Sequence, residues 1–229
     1  MRAMILAAGR GERMRPLTDS LPKPLLQVGG KPLIVWHIEK LVAAGITELV
    51  VNLSWLGEQI ELALGDGGRF GAKIQYSREP QALETAGGIA QALPFFQEQP
   101  FLVINGDVWC DWNLAGVEQA AASLDGTLLA WLMLVDNPVQ HPEGDFQLHS
   151  SRLVTDAATH DTAVTLTFSG IGIYRPALFQ GLVVGQPASL APLLRQSMAA
   201  GKVAGYHYKG QWTDVGTPQR LMQLDEALR

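Results

Sequence analysis

A glycine-rich loop near the start of the chain has the residue types that could bind a phosphate chain. The apolar run Met4 to Ala8 stops at the segment Gly9-Arg10-Gly11-Glu12-Arg13, and Lys23 follows between two prolines. Glycines let backbone N–H groups approach phosphate oxygens, while Arg13 and Lys23 add positive charge. The spacing alone is a weak signal, because an ordinary strand-to-helix turn also uses it, and it matches neither a Walker loop nor a dinucleotide fingerprint.

Two aspartates, Asp107 and Asp214, are candidates for holding a metal ion. Asp107 follows the apolar run 101–104, at the predicted end of a buried strand, which is a usual position for functional groups in an open α/β sheet. Asp214 lies in a predicted loop just before a helix. Each aspartate alone is also explained as a turn or capping residue. Together they form an oxygen donor pair that suits Mg²⁺, which binds one or two carboxylates with phosphate oxygens and water.

Hydrophobic patterns predict the elements that position these groups. Apolar runs with the length of buried strands occupy residues 4–8, 49–53, 74–76 and 101–104. Segments with helical apolar spacing occupy residues 32–44, 58–64 and 85–93. The βαβαβ order indicates a parallel sheet with helices on both faces, whose ligands lie beyond the carboxyl ends of the strands.

The second half of the chain has a different pattern. Short alternating segments from Asp136 to Ser169 predict an antiparallel lid. Further strands are predicted at 127–135, 170–174 and 203–208, and helices at 116–123 and 190–200. Trp212 to Pro218 is a predicted loop, in which Thr217 caps a closing helix that begins at Pro218. We expect one α/β domain over residues 1–229, with a lid-like insertion at about 136–169.

Composition and charge narrow the class of protein. The 229 residues are 47% hydrophobic, enough for a sizeable core, and the net charge of −5 argues against a nucleic acid partner. The longest apolar run, Leu128 to Val135, is too short to span a bilayer, and the first apolar run is too short for a signal peptide. The histidines lack the spacing of a zinc site, and Cys110 is expected to pack as a small apolar residue. We therefore expect a cytoplasmic protein without membrane contacts, either a monomer or a small homo-oligomer.

The combination LAAGxGxRMxPLT with PKPLL resembles the signature of the sugar-1-phosphate nucleotidylyltransferases. These enzymes join a nucleoside triphosphate to a sugar 1-phosphate and release pyrophosphate, and NGD and WxDVGTP extend the resemblance across most of the chain. The resemblance implies a Rossmann-like nucleotidyltransferase fold, with a mixed, mostly parallel sheet flanked by helices. It also implies that Asp107 and Asp214 hold catalytic Mg²⁺. For this chemistry the planar fork of Arg13 suits the β and γ phosphates, and Lys23 suits the α-phosphate.

The resemblance further implies where the substrates bind. The expected nucleotide-binding residues are Leu6, Ala7, Ala8, Gly9, Gly11, Glu12, Arg13, Lys23, Glu79, Glu84 and Gly87. The expected sugar-binding residues are Asn105, Asn137, Asp145 and Gly170. Glu79 could accept a hydrogen bond from the imide N–H of uracil or guanine, but it is explained about equally well as a surface carboxylate before a proline. Many relatives have glycine at the position of Glu84, and no Glu-Lys-Pro is present to hold the sugar phosphate, which favours a second metal ion in that role.

The compact length and the LETAGG segment most resemble the uridylyltransferase branch of this family, which acts on UTP and N-acetylmuramic acid 1-phosphate in cell-wall recycling. Mannose 1-phosphate guanylyltransferases are the alternative, because their base-reading segment has a similar pattern. A catalytically inactive regulatory subunit is the alternative outside enzymes. Such a protein is expected to lose Arg13, Lys23 or one aspartate, and all four residues are present.

Overall fold

The structure, a computed structural model, describes residues 1–157 and 164–229, so His160 of the predicted lid lies outside the described residues. The strands are β1 (Arg2–Leu6), β2 (Gln27–Val28), β3 (Lys31–Pro32), β4 (Glu48–Leu53), β5 (Lys73–Arg78), β6 (Phe101–Asn105), β7 (Val108–Cys110), β8 (Ala130–Val135), β9 (Phe146–Leu148), β10 (Val154–Asp156), β11 (Val164–Tyr174), β12 (Val203–Tyr208) and β13 (Trp212–Asp214). The helices are α1 (Leu33–Ala43), α2 (Gly57–Leu64), α3 (Glu84–Phe96), α4 (Val117–Ala122), α5 (Leu190–Ala199) and α6 (Pro218–Ala227). Across the described residues, none of these helices combines the length and the apolar character that a membrane crossing needs.

A mixed sheet forms the centre of the fold. Its strands follow the order β5, β4, β1, β6, β11, β8 and β12, and the first four of these run parallel to one another. Strand β11 is antiparallel to β6 and β8, while β12 is parallel to β8. Strands β9 and β10 add a small antiparallel extension beside the beginning of β11. The predicted α/β fold, with a mostly parallel sheet, flanking helices and small antiparallel additions, is confirmed.

Side chains of the central strand β1 alternate between two helix layers, as successive residues of a strand must. Ala3 and Ile5 are fully buried on the face that packs against Ile38 of α1. Met4 is fully buried on the opposite face, in the cluster that contains Ile89 of α3. Because both faces are covered, β1 is continuously apolar from Ala3 to Leu6, which is the pattern of a central parallel strand.

The carboxyl end of β1 brings three chain segments into one row. Leu6 is in register with Asn52 at the end of β4 on one side and with Asn105 at the end of β6 on the other. All three strands run parallel, so the loops that follow them leave the sheet at the same edge. Polar residues at these strand ends therefore lie side by side, although they are far apart in sequence.

The segment Trp212 to Pro218 is only partly the loop that its sequence predicts. Trp212–Asp214 forms β13, which pairs antiparallel with β7, and this part of the prediction is wrong. A three-residue strand is too short to show alternation, and its partner lies about a hundred residues earlier in the chain. The end of the segment matches its prediction, because the Thr217 side chain accepts a hydrogen bond from the Arg220 N–H and Pro218 begins α6.

We expect Gly106→Ala to destabilise the fold at this edge. A Cβ on Gly106 meets the carbonyl oxygen of Leu6 at 2.5 Å, and the Gly106 N–H already donates to that oxygen at 2.8 Å, so the backbone must shift. Overpacking of this kind costs about 1–3 kcal/mol, which thermal unfolding should record as a lower Tm. Gly9→Ala is the control, because nothing lies within 4 Å of its added Cβ. Equal Tm values for the two variants would contradict the constraint at Gly106.

Candidate active site

Two adjoining cavities at the carboxyl edge of the sheet form the candidate site. Their volumes are about 370 and 380 Å³. The first cavity is lined by these predicted nucleotide-loop residues: Leu6, Ala7, Ala8, Gly9, Gly11, Glu12 and Arg13. The second is lined by residues from the lid side of the sheet and from β13: Pro138, Gln140, His141, Thr167, Phe168, Ser169, Gly170, Trp212 and Asp214. Arg13, Asn105 and Asp107 line both cavities, which therefore meet at these three residues.

The loop after β1 is held in shape by contacts with the segment that carries Lys23. Gly11 has a φ of 69°, a conformation that favours glycine, and an added Cβ would lie 3.1 Å from Thr18 and 3.3 Å from Lys23. The Thr18 hydroxyl donates to the Gly11 carbonyl at 2.9 Å. Glu12 is engaged by Arg10 at 2.7 Å, so the carboxylate of Glu12 is partly neutralised at the rim of the first cavity. The loop is thus a fixed cradle whose backbone faces the cavity.

Lys23 is a buried cation that lines the first cavity beside the point where the two cavities meet. Its side chain is 8% exposed, and its ammonium lies 2.7 Å from Oδ2 of Asp107, whose side chain is 40% exposed. A buried lysine needs a partner of opposite charge, because desolvation disfavours the ammonium otherwise. Pro22 and Pro24 flank it, which limits the local backbone. The ion pair therefore aims one buried positive charge at the cavity junction. Arg13 lines the same junction and has no ion-pair partner within the described chain.

Asp107 and Asp214 are brought together by the two-stranded β7–β13 ribbon. Asp214 is in register with Val108, and the Val215 N–H donates to the Asp107 carbonyl at 2.9 Å. Arg220 of α6 lies behind Asp214, with Nη1 at 3.1 Å from Oδ2. An added Cβ on Gly216 would lie 2.1 Å from the Arg220 guanidinium, so glycine is needed there for the guanidinium to reach the aspartate.

The donor set at the junction fits Mg²⁺. The two carboxylates line a cavity beside the phosphate-binding loop, and phosphate oxygens with water can supply the remaining ligands of a hard cation. Among the residues that the structure describes, no group of three or more His, Cys, Asp or Glu is placed to hold a metal ion. The arrangement therefore suits a metal that arrives with a phosphate chain, and it does not suit a closed protein cage such as a structural zinc site.

His37 of α1 lies buried beside this ribbon. Burial, followed by the charge of Lys40, lowers the pKa of His37 to about 4. The imidazole is therefore neutral at pH 7 and adds no positive charge near Asp107. The cations that remain at the junction are Lys23 and Arg13, with Arg220 behind Asp214.

The far end of the first cavity contains a buried carboxylate. Glu79 is 4% exposed, and its oxygens accept hydrogen bonds from Asn52 Nδ2 at 2.8 Å and from the Leu83 N–H at 2.9 Å. Burial raises the pKa of Glu79, while these two hydrogen bonds lower it. The interpretation of Glu79 as an ordinary surface carboxylate is thus wrong, because it faces the cavity from a buried position.

Two other predicted nucleotide-binding residues have different surroundings. Glu84 lines the first cavity, has a φ of 58°, and hydrogen bonds through its carboxylate to the Ser189 hydroxyl. Gly87 does not line either cavity, and its N–H donates to the Ala188 carbonyl at 3.1 Å. An added Cβ on Gly87 would lie 2.5 Å from the Gln186 carbonyl oxygen. The glycine therefore permits close packing of α3 against residues 186–188.

The predicted sugar-binding residues divide into two groups. Asn105 and Gly170 line the second cavity and touch each other, because an added Cβ on Gly170 would lie 2.7 Å from the Asn105 amide nitrogen. Asn137 and Asp145 do not line it. Asn137 accepts from the Thr167 hydroxyl at 2.9 Å, so it supports the cavity wall indirectly.

Asp145 supports the same wall through two contacts. One oxygen lies 3.0 Å from Nε2 of His141, and the other accepts from the Phe168 N–H at 2.8 Å. Both contacted residues line the second cavity. Asp145 therefore fixes the orientation of the His141 ring in the wall of the second cavity.

Asn52 and Arg220 are site residues that sequence reasoning missed. Asn52 interrupts the apolar run Leu49–Leu53 one residue before the end of β4 and is 2% exposed, so a polar residue within a buried strand was the available signal. Arg220 had no such signal, because only the contact between α6 and Asp214 gives it a role.

The chain has extensive similarity to known proteins. Residues 2–229 match the family model described as nucleotidyl transferase. The chain is 55% identical over 224 residues to N-acetylmuramate alpha-1-phosphate uridylyltransferase of Neisseria meningitidis serogroup B, covering 97% of this chain and 96% of the relative. It is 36% identical to the protein of the same name from Caulobacter vibrioides, and the match covers 99% of this chain and 96% of that relative. A solved structure of a candidate glucose-1-phosphate thymidylyltransferase from Bacillus anthracis superposes with a TM-score of 0.86 at 22% identity, covering 100% of this chain and 95% of that one.

We expect Asp107→Asn and Asp214→Asn each to weaken Mn²⁺ binding in the presence of UTP. Each change removes a ligand charge without changing shape, and the loss of affinity should be about tenfold or more, since even outer-shell changes cost that much. Electron paramagnetic resonance of free Mn²⁺ measures the effect directly. Asp111→Asn is the matched control, because this exposed aspartate follows β7 and bonds to the Tyr208 hydroxyl at 2.6 Å. A junction variant that bound Mn²⁺ as the control does would not be a metal ligand.

Proposed function

The chain belongs to the nucleotidyl transferase family, and from this premise we propose that it transfers a uridylyl group from UTP to N-acetylmuramic acid 1-phosphate. The products are UDP-N-acetylmuramic acid and pyrophosphate, a reaction suited to the recycling of cell-wall sugars. The observation that carries the proposal is the junction of two cavities at Arg13, Asn105 and Asp107, one cavity for each substrate. The nucleotide and the sugar are supported by the 55% identity to the Neisseria meningitidis uridylyltransferase over nearly its whole length.

The proposed reaction is a direct displacement at the α-phosphorus. The sugar phosphate in the second cavity attacks with an oxygen that is already anionic at neutral pH, so the protein needs no strong base. The hydroxyls of Thr167 and Ser169 in that cavity are both engaged as donors, to the Asn137 amide oxygen at 2.9 Å and to the Met133 carbonyl at 2.8 Å. Neither is arranged as a competing nucleophile.

The protein contributes mainly charge and position. The backbone of residues 7–11 and Arg13 hold the β and γ phosphates, and Lys23 acts on the α-phosphate at the junction. Asp107 and Asp214 would hold Mg²⁺, which when bound neutralises charge on the phosphates of both substrates. Arg220 keeps Asp214 in place through their ion pair at 3.1 Å. Without substrate, the pair of Lys23 and Asp107 keeps both charges compensated.

The lactyl carboxylate of the sugar has a candidate partner in the second cavity. Of the cations and histidines in the predicted lid, only His141 lines this cavity within the described residues. Arg152 lines a separate cavity near β12, and His149 bonds to the Thr155 hydroxyl at 2.8 Å. We assign His141 as the donor to the carboxylate in its doubly protonated form, in which Nε2–H donates to Asp145 and Nδ1–H donates to the lactyl group.

The substrate assignment predicts a measurable preference. We expect the specificity constant for N-acetylmuramic acid 1-phosphate with UTP to exceed that for N-acetylglucosamine 1-phosphate by roughly ten- to a hundredfold, the value of one charge-assisted hydrogen bond. Pyrophosphate release over a grid of triphosphates and sugar 1-phosphates measures it. His141→Ala should remove much of the preference, while His149→Ala, the control, should keep it. If mannose 1-phosphate with GTP is the better pair, the substrate assignment is wrong and the transferase mechanism still holds.

We expect Lys23→Ala to lower kcat more than it raises the KM for UTP. Its charge acts where negative charge develops in the transition state, and removal of one such group costs on the order of a hundredfold in kcat. Arg13→Ala should affect binding relatively more, because the β and γ oxygens are charged in the ground state as well. Lys31→Ala is the control, since this lysine pairs with Glu39 outside the site. A Lys23→Ala enzyme with unchanged kcat would contradict this placement.

A further inference from the structure

A buried chain of hydrogen bonds crosses the end of the first cavity that lies beyond the phosphate loop. The Ala7 N–H, at the end of β1, donates to Asn52 Oδ1 at 2.7 Å. Asn52 Nδ2 donates to Glu79 Oε1 at 2.8 Å, and the Leu83 N–H donates to Glu79 Oε2 at 2.9 Å. Asn52 is 2% exposed and Glu79 is 4% exposed. The chain thus links the phosphate loop to the carboxylate at the far end of the cavity.

The direction of this chain is fixed by its backbone end. A backbone N–H can only donate, so Asn52 must turn its oxygen toward Ala7. Its NH₂ group then faces Glu79, and the amide cannot flip without leaving two donors face to face. Both groups that hold the Glu79 carboxylate are therefore donors, which favours its ionised form.

Nothing charged stabilises this carboxylate in the described part of the chain. The charged neighbours in sequence point elsewhere: Arg78 pairs with Glu61, and Glu84 bonds to Ser189. From β4 it is faced by Asn52, and from α3 by Gly88, where an added Cβ would lie 2.6 Å from Glu79 Oε1. Burial raises the pKa of Glu79 and the two donors oppose this rise. A carboxylate oxygen has room for a further hydrogen bond, so one more donor from a ligand in the cavity would complete the set.

We propose that Asn52 is a positioning residue for nucleobase selection, which holds Glu79 as an acceptor that takes a base with an imide N–H and rejects cytosine. Uracil presents an N–H at N3, whereas cytosine presents a lone pair at the same position, so an ionised carboxylate accepts from the first and repels the second. This inference rests on the proposed uridylyl transfer and adds to it the residue that sets the acceptor. Guanine also carries an imide N–H, so the Glu79 acceptor distinguishes UTP from CTP but not from GTP. The larger guanine base must be excluded by the size of the cavity.

The proposal fixes the sign of a pH effect. Uracil binds the ionised form of Glu79, and cytosine can accept a hydrogen bond only from the protonated form. As the pH falls through the pKa of Glu79, UTP binding should weaken and CTP binding should strengthen. The ratio of the two affinities cancels the protonation of the triphosphate, which both ligands share.

The test is isothermal titration calorimetry of UTP and CTP with the full-length chain and its Asn52→Leu variant at pH 7. Leucine has the branched shape of asparagine but no amide, so Glu79 Oε1 loses its donor and the protonated form of Glu79 is favoured. The Ala7 N–H also loses its acceptor, which affects the binding of both nucleotides equally. We expect the affinity ratio of UTP to CTP to fall by roughly ten- to a hundredfold, which corresponds to one hydrogen bond to a charged group. Asn113→Leu, a matched change at an exposed residue of the β7–α4 loop, should leave the ratio unchanged.

A folded Asn52→Leu variant with the wild-type ratio overturns the proposal. If that variant does not fold, Glu79→Gln decides, because a glutamine amide offers either a donor or an acceptor; the ratio should then approach one, and an unchanged ratio overturns the proposal. Pyrophosphate release by the wild-type enzyme distinguishes a failure of the Asn52 proposal from a failure of the proposed uridylyl transfer. If UTP supports turnover while the ratios do not change, only the inference about Asn52 fails. If UTP supports no turnover with any sugar 1-phosphate, the proposed function fails.

Discussion

The parallel pairing of β1 with both β4 and β6 is the constraint on which the rest of the site depends. It places Leu6, Asn52 and Asn105 in one row at the carboxyl edge of the sheet. The phosphate loop continues from the first of these strands, Asn52 lies one residue before the end of the second, and the turn to Asp107 follows the third. Because β1 is buried on both faces, a shift in its register would displace apolar side chains from two core layers at once. Core packing therefore determines the spacing of the reacting groups.

Opposite charges at the edge of the sheet are paired across elements that are distant in sequence. Lys23 pairs with Asp107 and Arg220 pairs with Asp214, so each proposed metal ligand has its own cation in the structure. The chain carries a net charge of −5, and these local cations explain how it can still attract two anionic substrates. The two pairs differ in one respect, since Lys23 lines the cavity while Arg220 lies behind Asp214. Lys23 is therefore placed to act on a phosphate, and Arg220 to hold its aspartate.

Sequence patterns predicted those parts of the molecule that depend on residues close together in the chain. The apolar runs of β1, β4 and β6 and the helical spacing of α1 are local, and they led to the fold. Asp107 and Lys23 were recognisable because motifs surround them, and the structure brings the two together. The β7–β13 ribbon could not be predicted, because its three-residue strands have no pattern of their own and pair across a long loop. The role of Asn52 also depended on tertiary structure, since its partners Ala7 and Glu79 belong to other segments.

The central claim is that both substrates meet at the junction of the two cavities and react there in a single displacement. The most direct test is the stereochemistry at phosphorus, with UTP that carries one sulfur of known configuration on the α-phosphate. Phosphorus NMR of the UDP-sugar product shows its configuration. We expect inversion, because the sugar phosphate attacks from the second cavity while pyrophosphate leaves along the loop. Retention would mean two displacements through a covalent uridylyl-enzyme intermediate and would contradict the claim.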